Sequence, residues 1–320
     1  MTVTTTPPHW TRKFHVKHPQ GELADPNAAF DDSTPLALEL AEITRRRRAL
    51  AAQELPLPSS PRVFTVANQK GGVGKTTSTV NLAAALARGG ARVLVIDLDP
   101  QGNASTALGV EHRSDTPSVY DVIINDEPMA AVIQQSPEFP NLHCVPATIH
   151  LAGAEIELVS LVAREQRLRT ALEVFLRDVP EPFHYVFIDC PPSLGLLTIN
   201  AFVAAQEVLI PIQCEYYALE GLSQLLSNIE LIEKHLNPRL SVSTILLTMY
   251  DSRTNLANQV VEDVRTHFPD KVLATLIPRS VRISEAPSYG QTVITYDGSS
   301  AGSLSYLEAA AEIARRGAPS

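Results

Sequence analysis

The chain of 320 residues has only three cysteines, and they lack the arrangements that cysteine chemistry needs. Cys144, Cys190 and Cys214 stand far apart, odd in number and without C-x-x-C spacing. This argues against a disulfide framework or a zinc site and fits a reducing cytoplasm. Long apolar runs are missing too. No stretch approaches the roughly 18 to 20 residues of a membrane helix, and the first thirty residues lack a signal-peptide core, so neither a membrane span nor export is expected. Positive charge is in deficit: the formal net charge is -9. That argues against a protein coated all over by nucleic acid or acidic lipid and confines any such contact to one local basic face. Apolar residues, in contrast, make up 44% of the chain, enough for the core of a soluble globular protein of one or two domains.

Residues 1–61 differ from the rest. "TTTPPHW", "ADPNAAF" and "LPLPSSP" are rich in proline and small polar residues, a composition that buries too little surface to offset ordering, and they predict a disordered tail. Within it, "TPLALELAEITRRRRALAAQ" has Thr34 as an N-cap, Pro35 at the first helical position, and Leu36, Leu40 and Ile43 at helical spacing, which predicts a short helix. Its run Arg45 to Arg48 reads either as a solvated face or as an auxiliary contact to DNA or a partner.

Residues 62–320 read as one domain. Short β-branched runs alternate there with longer helical patterns: "RVFTVAN", "RVLVIDLD", "LHCVPA", "HYVFIDC", "EVLIPIQ", "SVSTILLT" and "KVLATLI" are the candidate strands. The rhythm predicts an α/β fold, a mostly parallel twisted sheet with helices on both faces.

"NQKGGVGKTT" follows the first of these strands and opens a helix. It departs from the standard phosphate-binding loop, G-x-x-x-x-G-K-[ST], because Gln69 stands where glycine is expected and a second lysine, Lys70, enters the loop. Gly71, Gly72 and Gly74 let the backbone turn its amides toward an anion, with the helix dipole adding attraction for phosphate. Lys75 is expected on the β and γ phosphates and the Thr76 hydroxyl on magnesium; Val73 and Thr77 complete the expected lining. A magnesium nucleotide also needs carboxylates at neighbouring strand ends. Asp97 and Asp99 in "VLVIDLDPQGN" and Asp189 in "HYVFIDCPP" supply them, Asp189 in the Walker B role. The cofactors implied are ATP and Mg2+.

Together "KGGVGKTT", "VIDLDPQGN", "FIDCPPSLG", "CEYYALEGL" and "IPRSVRISEAPSYG" resemble the ParA/Soj family of partition ATPases with a deviant Walker A motif, over about residues 62–316. The resemblance implies that Lys70 crosses a homodimer interface to the partner's nucleotide, that Asp99 positions the attacking water with Asp97 nearer the metal, and that Pro278 lies by the base, where a turn-forming proline is an alternative reading. It implies slow hydrolysis stimulated by a ParB-like centromere-binding protein. It further implies an ATP-bound dimer on the nucleoid that holds double-stranded DNA without sequence preference through Arg253 and Arg282. Arg279 reads as a neighbour of the nucleotide, and Tyr216 and Tyr217 as packing residues. Glu215 and Glu220 carry no assignment.

Two rivals share this loop. A MinD-like membrane switch needs a basic amphipathic C-terminal helix with bulky apolar groups, whereas "SLSYLEAAAEIARRGAPS" is mostly alanine on its apolar face. A reductase needs paired cysteines for an iron-sulfur cluster, and an ATP-dependent ligase would show turnover of its own.

Overall fold

Seven short strands form one sheet: β1 (Arg62–Val66), β2 (Val93–Asp97), β3 (Gln134–Gln135), β4 (Leu142–Val145), β5 (Tyr185–Asp189), β6 (Glu207–Gln213) and β7 (Ser241–Thr248). Their order is β3-β4-β2-β5-β1-β6-β7. Every neighbouring pair is parallel except β3 and β4. The computed structural model describes residues 35–51, 54–215 and 218–317. Tyr216, Tyr217 and the side chain of Glu220 lie outside the described residues, as does the segment before Pro35.

The helices are α1 (Pro35–Ala51), α2 (Lys75–Arg88), α3 (Asn103–Ala107), α4 (Val119–Ile124), α5 (Met129–Val132), α6 (Leu151–Leu158), α7 (Arg167–Asp178), α8 (Leu196–Ala204), α9 (Ala218–His235), α10 (Asn255–His267), α11 (Val281–Glu285), α12 (Val293–Tyr296) and α13 (Ala301–Arg316). The chain divides into two compact units inside α1, between Glu42 and Ile43. Of the first unit, residues 35–42 are described, as the opening turns of that helix; all that follows concerns the second unit.

Strand alternation builds two cores, one on each face of the sheet. Val63, Leu94, Ile96, Val186 and Ile188 enter one, beneath α4, α6, α7, α8, α9 and α10. Phe64, Val93, Val95, Tyr185 and Phe187 enter the other, beneath α2 and α13. Because both faces are covered, the central strands β2 and β5 are buried at every residue, as parallel sheets require. The second core is closed by alanine: Ala83, Ala84 and Ala85 of α2 and Ala309 and Ala310 of α13 are all buried, and side chains this small let the two helices approach closely. Leu304, Tyr306 and Ile313 of α13 are buried with them. No helix among the described residues is long and apolar enough to cross a membrane. All three cysteines are buried and unbridged.

One expected strand does not form. "KVLATLI" meets β7 in pieces, not as a strand: an isolated bridge pairs Ile245 with Val272, and further on Ile277 N donates to the Leu247 carbonyl at 2.9 Å. The reason lies in Glu312 of α13, whose carboxylate accepts from the backbone N–H of Ala274 at 2.9 Å and of Thr275 at 3.2 Å. With these donors taken, the segment cannot run a ladder along β7.

Candidate nucleotide site

The central strands β1, β2 and β5 end side by side, and the residues just beyond them make the site. After β1 the chain enters the loop 68–74 and then α2. Gly72 and Gly74 sit at φ 76° and 87°, left-handed values that favour glycine. A β-carbon at Gly71 or Gly72 would meet nothing within 4 Å, so the loop is open around those glycines. The Val73 carbonyl accepts from Thr248 Oγ1 at 2.9 Å, which ties the loop to the end of β7.

Lys75 is nearly buried, and its Nζ donates to the Lys70 carbonyl at 3.3 Å. Burial lowers its pKa, against the opposing pull of Asp189. An ammonium group has three donors, and a desolvated one with a single long bond is set to take an anion. Thr76 Oγ1 donates to Asp189 Oδ2 at 2.7 Å and Thr79 Oγ1 to Asp189 Oδ1 at 3.2 Å. The first turn of α2 and the end of β5 are therefore in direct contact.

Asp97 and Asp189 are direct neighbours in the β2–β5 register, and both are fully buried. Burial first, and then the neighbouring aspartates, push the Asp189 carboxyl up to about 8. Burial likewise raises Asp97 to about 6, against the hydrogen bonds from Ser105. Both Asp97 oxygens are engaged: Oδ1 accepts from Asp99 N at 3.1 Å, and Oδ2 from Ser105 N at 2.8 Å and Ser105 Oγ at 2.7 Å. Asp99 is slightly more open, and its Oδ1 accepts from Gln101 N at 3.0 Å.

Carboxylates crowded and desolvated in this way are a hard oxygen donor set of the kind a divalent cation takes. Among the described residues no three acidic, histidine or cysteine side chains enclose a metal by themselves. Magnesium held through waters and phosphate oxygens needs only one or two carboxylates, so Thr76 and Asp189, with Asp97 behind, fit that requirement.

Gly74 and Thr77 also line a cavity with Pro278, Arg279, Met249 and Tyr306. The Tyr250–Pro278 bridge brings Pro278 to the end of β7. Met249, which no sequence motif marks, sits in the left-handed region at φ 51°, a strained value for a long side chain and frequent at ligand sites. Tyr306 and Ser105 are equally unmarked: Tyr306 reaches Ser78 of α2, and neither has a motif of its own.

Lys70 does not approach Lys75's carboxylate neighbours. Its Nζ pairs with Glu215 Oε2 at 3.0 Å, both side chains about half exposed. Arg253 is highly exposed and forms a two-pronged pair with Asp251. Arg282 is more than half exposed, between Glu285 at 3.3 Å and Asp297 at 3.5 Å.

Residues 61–242 match a family profile, AAA_31, described as an AAA domain. The sporulation initiation inhibitor protein Soj of Bacillus subtilis is 54% identical over 256 residues, 80% of this chain and 99% of Soj. The chromosome partitioning protein ParA of Myxococcus xanthus is 49% identical over 277 residues, 87% of this chain and 96% of that protein. Among solved structures, the fold matches a cobyrinic acid a,c-diamide synthase from Mycobacterium smegmatis with bound ATP analog and magnesium. Its TM-score is 0.67 at 39% identity, covering 78% of this chain and 93% of that one.

Proposed function

The chain belongs to the ParA/Soj family of chromosome-partitioning P-loop ATPases, and from that premise we propose that it is an ATP-dependent switch that carries DNA. In this reading two subunits close on two ATP molecules, and the closed dimer holds duplex DNA without sequence preference. Hydrolysis, stimulated by a ParB-like centromere-binding partner, releases it. The observation that carries the reading is the convergence of three strand ends on Lys75, the Asp97–Asp99 pair and Asp189.

Each residue then has a physical task. Loop amides from Gly71 to Thr77 and the Lys75 ammonium hold the phosphates. Thr76 and Asp189 would hold magnesium, with Asp97 behind them; the ion would supply charge neutralisation to the phosphates. Asp97, whose oxygens are occupied by Ser105 and Asp99 N, is a poor acceptor for a moving proton. Asp99 keeps one oxygen outside its bond to Gln101 and orients the attacking water. Phosphoryl transfer asks mainly for in-line placement and charge compensation. Pro278 and Met249 border the base, and Arg253 and Arg282 meet phosphates of the duplex.

Lys70 is the dimer sensor. Its pairing with Glu215 is half exposed, a class worth about 0 to 1 kcal/mol, and a partner's polyphosphate displaces it. Leu304, Tyr306 and Ile313 of α13 are buried in the core, so this helix does not offer them to lipid.

Retention on random-sequence DNA with a non-hydrolysable ATP analogue, compared with ADP, tests the reading. The wild type is expected to bind only with the analogue, Lys75→Ala to lose nucleotide, and Lys70→Ala to bind nucleotide as a monomer. DNA retention independent of nucleotide, or normal dimerisation of Lys70→Ala, would refute it.

A further inference from the structure

The arginine run of α1 does not hang free of the domain. Arg46 makes a two-pronged pair with Glu308 of α13, Nε to Oε1 at 2.9 Å and Nη2 to Oε2 at 2.5 Å, and also reaches Ser305. Arg47 donates to the Ser299 carbonyl. Further along, Leu55 covers Gly89 so closely that a β-carbon there would stand 2.2 Å from Leu55 Cδ1. Ile43, Arg46 and Leu50 are half-buried, at the i, i+3, i+7 spacing of one helical face. Arg45 and Arg48, three residues apart, are exposed on the other side.

The place where α1 docks matters. The turn 297–300 that receives Arg47 also holds Arg282 through Asp297, and a β-carbon at Gly298 would lie 3.7 Å from the Arg88 guanidinium. Guanidinium groups from α1, α2 and α11 thus gather around one turn. Carboxylates stand among them: Asp297 and Glu285 beside Arg282, and Glu308 engaged by Arg46. In a chain of net charge -9, polyanion binding needs a local concentration of cations of this kind.

We propose that α1 is a second element of the DNA-binding face: docked through Arg46 and Arg47, it presents Arg45 and Arg48 to duplex phosphates beside Arg282. This rests on the reading of Arg282 as a DNA contact. It adds a ligand, the phosphodiester backbone, to a segment that lies outside the residues matched by the AAA domain. Ion pairs of this kind carry no sequence information and are read through salt, each adding about 0.9 to the slope of log K against log salt concentration.

The test uses full-length protein with the ATP analogue and random-sequence duplex across a salt series. The double variant Arg45→Ala/Arg48→Ala is expected to lower the salt slope by roughly 0.9 for each arginine–phosphate ion pair removed, with nucleotide binding unchanged. Glu308→Ala separates placement from bulk charge. It makes the chain more positive yet undocks α1, so placement predicts weaker DNA binding and bulk charge predicts tighter. An unchanged slope in the double variant, while Arg282→Ala weakens binding, overturns the inference and leaves the proposed function standing. Tighter binding by Glu308→Ala overturns it as well. Failure of the wild type to bind DNA overturns both. Loss of binding to anionic phospholipid vesicles by the double variant, with DNA binding intact, would assign the arginines to a membrane and overturn it too.

Discussion

Two lysines five residues apart in one loop sit in opposite electrostatic settings. Lys75 is desolvated, opposite an aspartate and short of acceptors; Lys70 is half exposed and paired. Burial makes the first a permanent part of the site, and exposure makes the second exchangeable. Glu215, which the sequence left without a role, is then a competitor for Lys70. Glu215→Gln is expected to lower the ATP-analogue concentration needed for dimerisation about fivefold, the equivalent of ~1 kcal/mol for an exposed pair. Analytical ultracentrifugation across an analogue titration checks this, and an unshifted midpoint would mean that the pair does not restrain Lys70. Asp99→Ala is expected to bind and dimerise normally yet remain on DNA, because only the water's placement is disturbed. Normal partner-stimulated phosphate release in that variant would remove Asp99 from the role.

At the scale of elements, the loop between β1 and α2 is held from outside by β7, through Thr248 Oγ1 and the Val73 carbonyl. Thr248→Val keeps the strand's shape and removes that donor. It should cost about 1 kcal/mol, the net worth of such a bond, and weaken nucleotide affinity about fivefold; isothermal titration with the ATP analogue measures it. β1, β2, β4, β5, β6 and β7 were legible in the sequence because each is a short run rich in β-branched and other apolar residues set between helical patterns, and the loop because glycine, lysine and threonine leave few other readings. "KVLATLI" misled because its β-branched composition is local, whereas the side chain that takes its N–H groups, Glu312, comes from α13 at the far end of the chain. The two-residue β3 has no periodicity to read. Ser105 and Met249 were hidden for the same kind of reason. What matters about them is a hydrogen bond to Asp97 and a left-handed φ, and neither leaves a spacing signature.

For the whole molecule, the crowded carboxylates make nucleotide-free stability depend on pH in an unusual direction. Asp97 and Asp189 rise from an ordinary value of 3.8 to about 6 and about 8. The folded chain therefore holds protons that the unfolded chain has released, and stability falls as pH rises from about 4 to about 8. Thermal unfolding of the nucleotide-free protein should show this decline. Asp189→Asn should flatten its upper part, and Asp97→Asn the part below about pH 6. A stability that climbs through that window would contradict the burial of these groups. The three thiols have a practical consequence at the same scale. Cys144, Cys190 and Cys214 are sealed inside the two cores and at the end of β6, so a maleimide reagent finds no native target on the folded surface. A single cysteine introduced at Ala49, exposed beside Arg48, would carry the sole fluorophore, and its quenching or polarisation would report, in real time and without removing either arginine, when α1 meets a polyanion.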